Sequence, residues 1–140
     1  MKPKSIIVLD LPLPPSTNAA FARGGAGHRT GRTAAYRWWI RCVLDEFRGK
    51  ETPRLTAGEY ALWLDLPSKM RGDTDNRLKL VSDMLKEGPQ KLGVVSDDRF
   101  MRDHHVCPLF KGVPGRCTVT LVSLASGRQA WAAYVGMRIC

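Results

Sequence analysis

Acidic residues are scarce in this chain: 13 Asp and Glu stand against 22 Lys and Arg, for a formal net charge of +9. A balance this basic points to a polyanionic partner, nucleic acid first, because the Lys and Arg accumulate around particular segments. The plainer alternative is a basic protein kept soluble by its charge. The four cysteines, Cys42, Cys107, Cys117 and Cys140, form no CxxC pair and show no zinc-ligand spacing. Neither a structural zinc nor a secreted disulfide scaffold is expected from them. Cys42 lies in a helical pattern and Cys117 opens a strand-like run, so both read as small core hydrophobes. No apolar run approaches the ~18 residues of a membrane span. Lys2 and Lys4 precede only a short apolar run before Asp10, so neither a signal peptide nor a membrane partner is expected, and a reducing cytoplasm fits best.

Histidine chemistry is equally thin. His104 and His105 are adjacent, so on a strand they point to opposite faces and cannot serve one site, while His28 stands alone. No Ser/His/Asp, Cys/His or HxxxH arrangement occurs, and there is no internal repeat or low-complexity tract.

The 140 residues, 44% of them hydrophobic, suffice for one domain that buries roughly two-thirds of its unfolded surface. Ser5 to Leu11 reads as a strand ended by Pro12-Leu13-Pro14-Pro15. Ser16 to Gly31 interleaves four glycines with Arg23, His28 and Arg29, and Arg32 follows it. This basic loop is either a mobile surface segment or one that lets the backbone approach phosphate. Thr33 to Arg48 is the clearest helix: Tyr36, Trp39, Ile40, Val43, Leu44 and Phe47 share one face, and Arg37, Arg41, Asp45 and Arg48 the other. Ala57 to Leu66 alternates as a strand. A basic turn with Lys69 and Arg71 leads to a second helix from Asp73 or Thr74 to Glu87, stopped by Gly88-Pro89. Strands are expected over Phe100 to Cys107 and Cys117 to Leu124. The expected fold is α+β, a mixed sheet with two main helices in the order β-α-β-α-β-β, over residues 1–140. Residues 125–140, with Trp131, Tyr134 and Met137, form an extra segment that packs on the body, pairs with another subunit or frays.

Clustered carboxylates in so basic a chain require explanation. Asp73-Thr74-Asp75-Asn76-Arg77-Leu78-Lys79 stands at a loop-to-helix junction, and Asp97-Asp98 follows some twenty residues on. Each has a structural reading: Asp73 as a helix N-cap, Asp75 and Lys79 as an i, i+4 pair, Asp97-Asp98 as a turn. Together they have a chemical one. Two or three carboxylates within metal reach repel one another unless a cation joins them, and carboxylate oxygens with phosphate suit Mg²⁺. Asn76 can orient a carboxylate or a water, and Lys79 can face charge developing on phosphate oxygens.

These residues resemble the RusA-type Holliday junction resolvases, small endonucleases common in prophages. The resemblance rests on Asp73-x-Asp75-Asn76-x-x-Lys79, the later Asp97-Asp98, Leu13-Pro14-Pro15-Ser16-x-Asn18 upstream, the aromatic helix near Tyr36, and Asp83 one turn after Lys79. It spans about residues 5 to 124. It implies a homodimer that binds four-way DNA junctions and nicks two opposed strands by Mg²⁺-dependent hydrolysis, with Mn²⁺ able to substitute. Asp73, Asp75 and one of the later pair, Asp98 rather than Asp97, would hold the metal, and Lys79 matches the family's essential lysine. Arg23, Arg29, Arg32, Lys69, Arg71 and Arg77 would hold phosphates without reading sequence. The rival expectation is a non-catalytic basic module that binds structured DNA or RNA. The Ala22 to Gly31 loop and the tail from Ala125 depart from the family pattern.

Overall fold

The computed structural model describes residues 2–16, 21–23, 30–67, 74–110, 114–125 and 127–139. At its centre lies strand β4 (Tyr60–Pro67), whose eight residues are all buried. A strand buried on both faces needs a layer on each side, and the period-2 alternation of its side chains decides which residue meets which layer. Tyr60, Leu62, Leu64 and Leu66 point into the larger core, while Ala61 and Trp63 belong to a smaller one on the reverse face.

Around β4 the sheet has four strands. β1 (Ile6–Pro12) pairs antiparallel with β6 (Arg116–Ser123), β6 pairs antiparallel with β4, and β4 pairs parallel with β5 (Met101–Phe110), giving the order β1-β6-β4-β5. A parallel pair requires a crossover, and helix α2 (Thr74–Leu85) supplies it between β4 and β5. Helix α1 (Ala34–Phe47) and α2 cover the same side of the sheet. Tyr36, Trp39, Ile40 and Val43 of α1, with Leu78, Val81, Met84 and Leu85 of α2, pack on Ile7, Leu9 and Leu11 of β1 and Val119 and Leu121 of β6. Each such aliphatic side chain contributes about 1.5–3 kcal/mol on full burial.

The ends of the helices follow local rules. Thr33 caps α1 by accepting the Tyr36 N–H at 3.3 Å, and Gly49 at φ +72° turns the chain out after Arg48. Helix α2 stops at Leu85, two residues short of the expected Glu87, because the chain doubles back and caps it. The Leu92 and Val94 N–H groups donate to the Met84 and Leu85 carbonyls, each at 2.8 Å. Strand β4 begins at Tyr60 rather than Ala57, after Gly58 at φ +112°.

The fold is α+β, as the sequence pattern indicates, with two additions. Residues 129–139, left open by the sequence, form helix α3, so the main order is β-α-β-α-β-β-α with three helices. Within the glycine-rich segment, β2 (Phe21–Arg23) and β3 (Thr30–Arg32) pair antiparallel as a two-stranded sheet, where only an irregular loop was expected. Among the described residues no helix is long and apolar enough to cross a membrane.

Helix α3 closes the reverse face. Trp131 packs with Ala61, Trp63, Val122 and Leu124, and Tyr134 meets the Trp63 ring edge-on at 5.5 Å. His105 stacks on Trp63 at 4.9 Å while His104 is exposed, the opposite facing expected of neighbours on a strand. His105 is thus part of a packed aromatic group.

Candidate functional site

Helix α2 carries the motif Asp75-Asn76-x-x-Lys79 in its first two turns and Asp83 in its last. The four-residue spacing puts Asp75, Lys79 and Asp83 along one stripe. Lys79 is exposed. Asp73, Lys69, Arg71 and Arg29 lie outside the described residues, and Asp75, Asn76, Arg23 and Arg32 are described by their backbone alone.

The other half of the site forms where α2 ends. Residues 92–97 lead back to a 3₁₀ turn, Asp98–Phe100, that feeds β5. Asp97 caps this turn, its carboxylate accepting the Arg99 N–H at 3.1 Å. The Asp98 carboxylate lies 4.0 Å from Lys86 Nζ, and the same ammonium is 3.0 Å from Asp83. Lys91 binds Asp83 from the other side and also donates to its backbone carbonyl at 3.1 Å. Asp83, Asp97, Asp98, Lys86 and Lys91 thus form one charged group at the C-terminal end of α2.

The carboxylates in this group are not equivalent. Burial pushes the Asp83 carboxyl up, but the hydrogen bonds and charges of Lys91 and Lys86 outweigh it and hold the group below its ordinary value. The Arg99 N–H, followed by a hydrogen bond with Asp98, lowers Asp97. Asp98 shifts the other way: burial and then the hydrogen bond with Asp97 raise it, with Lys86 in opposition. Behind it the buried Tyr60 phenol is pushed up to about 12 by burial and then by the Asp98 charge. Asp98 is thus the one carboxylate of this group whose charged form its surroundings disfavour. Its oxygens are the donors a Mg²⁺ ion takes. Among the described residues, no three His, Cys, Asp or Glu side chains are grouped to hold an ion.

The structure brings Asp98 to Lys86 and, through that ammonium, to Asp83. Asp75 and Asp83 are eight helical residues apart, about 12 Å along the axis. The topology is the cause. A crossover helix runs back along the sheet, so Asp98, just before β5, lies beside the C-terminal end of α2. The sequence pattern indicates that the strand after Asp97-Asp98 lies alongside β4, as it does. The resemblance names Asp83 only as a motif residue and misses its ion pairs with Lys86 and Lys91. The Lys86 pair was readable, since Asp83 and Lys86 stand at i, i+3.

Arg77 is not the exposed phosphate ligand expected from the sequence. It is buried, 8% exposed, and its Nη1 donates to the Pro14 carbonyl at 2.6 Å. Burial accordingly lowers its pKa from the ordinary arginine value. Arg77 fastens the segment after β1 to the first turns of α2, and so links the Pro14-Pro15-Ser16 element to the helix that carries the carboxylate motif. No protein-family model matches the chain, and no curated protein sequence matches it.

Proposed function

We propose that this chain is a Mg²⁺-dependent endodeoxyribonuclease of the RusA-like kind, a cytoplasmic homodimer that resolves four-way DNA junctions in recombination and repair. The observation that carries the reading is Asp73-x-Asp75-Asn76-x-x-Lys79 at the start of a crossover helix, with an exposed Lys79, in a chain of net charge +9. In this reading Asp73 and Asp75 hold the metal at the N-terminal end of α2. Asp98 is assigned with them by the resemblance. The ion would supply charge neutralisation at the scissile phosphate and an acidified water. Lys79 would stabilise the charge on the phosphate oxygens or the leaving oxygen. Lys69, Arg71, Arg23, Arg29 and Arg32 would hold the DNA backbone.

The deciding experiment incubates the protein with a synthetic mobile four-way junction, with Mg²⁺ or with EDTA. Paired nicks in opposed strands that require the metal are expected. Binding in EDTA without cleavage in Mg²⁺ would replace the enzyme by a basic module for structured DNA. Asp75→Asn should bind the junction at least as tightly as wild type, because it removes a charge that repels DNA, and should not cut. Asp98→Asn decides whether Asp98 acts with Asp75: a loss of cleavage and of Mn²⁺ affinity in calorimetry would place both in one centre.

A further inference from the structure

The outward face of α1 has no part in the site above. Arg37, Arg41 and Arg48 stand four and seven residues apart, so on a helix their directions fall within about 40° of one another. All three are exposed, and with the Gln90 turn that follows α2 they line a groove of about 460 Å³. Helix α1 has two acidic residues. Glu46 faces away and binds Arg116 of β6 at 2.6 Å, leaving Asp45 alone among the arginines, paired with Arg48 at 2.7 Å. The groove is therefore lined by three guanidinium groups and one carboxylate. Trp38, one residue on from Arg37, is 67% exposed, although the other aromatics of this helix are buried or half-buried.

We propose that this face binds a DNA strand with unpaired bases: its phosphates lie along Arg37, Arg41 and Arg48, and one base stacks on Trp38. The proposal rests on the reading of the protein as one that acts on branched DNA. Guanidinium forks match phosphate oxygens, and a basic groove beside an exposed aromatic is the arrangement that holds single strands. The three arginines span about 16 Å of helix.

Fluorescence anisotropy across a salt series tests this with three labelled probes: the four-way junction, a thymidine oligonucleotide and a blunt duplex. The triple variant Arg37→Gln, Arg41→Gln, Arg48→Gln should lower the log–log salt slope for the oligonucleotide by about two units or more. Trp38→Ala should weaken oligonucleotide binding about five- to hundredfold and leave the blunt duplex unaffected. Thermal melts of both variants, whose changed residues are all exposed, check that the fold is kept. If wild type binds the junction and neither variant differs from it, this face is not a DNA surface and the endonuclease reading stands. If wild type binds none of the probes, both readings are overturned. Displacement of the oligonucleotide by polyglutamate at equal charge would reduce the groove to a general anion surface and overturn the proposal as well. Retention of oligonucleotide binding by Asp75→Asn, with cleavage abolished, is the result expected of two separate surfaces.

Discussion

Arg138 of α3 reaches Asp65 of β4 with both terminal guanidinium nitrogens, one of them at 3.0 Å, across the reverse face of the sheet. Asp65 is 2% exposed and also accepts the Trp63 indole N–H at 2.9 Å. Arg138 lies over the Trp63 ring at 4.8 Å from its centre. A carboxylate on a fully buried strand is tenable only because α3 brings this cation to it. The Asp65 carboxylate correspondingly raises the arginine's pKa.

Removing the cation alone should therefore be costly. Arg138→Ala leaves Asp65 buried and without its charge partner, which costs about 3–5 kcal/mol by analogy with other buried pairs. Urea unfolding should show this loss, and the double variant Asp65→Asn, Arg138→Met should recover most of it. An Arg138→Ala midpoint equal to wild type would mean that α3 is not held by this pair.

Acid should weaken the protein partly through Asp83. Its folded pKa is depressed, so the stability its ionised form contributes is present above the ordinary carboxylate value near 3.9 and is lost as pH falls through the lower folded value. Asp83→Asn should cost about 1 kcal/mol at neutral pH, and the difference from wild type should vanish as pH falls below the ordinary carboxylate value. Identical pH profiles for the two proteins would remove Asp83 from the acid transition.

Arg77 is expected to act on stability and not on DNA. Arg77→Met keeps the bulk but loses the charged hydrogen bond to the Pro14 carbonyl, at a cost of about 1.5–3 kcal/mol. Its melting temperature should drop while the salt slope of junction binding stays at the wild-type value. A slope lower by about one unit would return Arg77 to the phosphate ligands.

Lys79 separates a helix-surface lysine from a catalytic one. Lys79→Ala should change stability by well under ~1 kcal/mol, since the residue is exposed. Single-turnover cleavage should fall about a hundredfold or more, with junction affinity nearly unchanged. Lys79→Arg keeps the charge but moves the donors and should remain impaired. Near-normal cleavage by the alanine variant would strip Lys79 of its role.

Thiol reactivity should follow burial. The Cys117 thiol is pushed up to about 12, chiefly by burial, and its sulfur points toward the Pro12 carbonyl. Native protein treated with iodoacetamide near pH 8 should be modified at Cys42 and Cys107, both half-buried, before Cys117. Early modification of Cys117 in peptide mapping would show that β6 opens readily from β1.

Several elements of this fold carry local signals. The apolar stripe of α1 and the alternation of β4 act within a few residues, so they are legible along the chain. The buried roles of Cys117 and Trp39 follow from the same periodicities. How distant groups meet follows from the tertiary packing. The tail shows weak periodicity because α3 is anchored by particular contacts, Trp131 to Asp103 and Arg138 to Asp65, rather than by a continuous apolar stripe. Arg77 has the composition of a surface ligand, yet the return of the chain from β1 sets the Pro14 carbonyl against it. Asp98 meets Lys86, and through it Asp83, because a helix joining two parallel strands must run the length of the sheet between them. That direction is a property of the connection, and no residue in the motif encodes it.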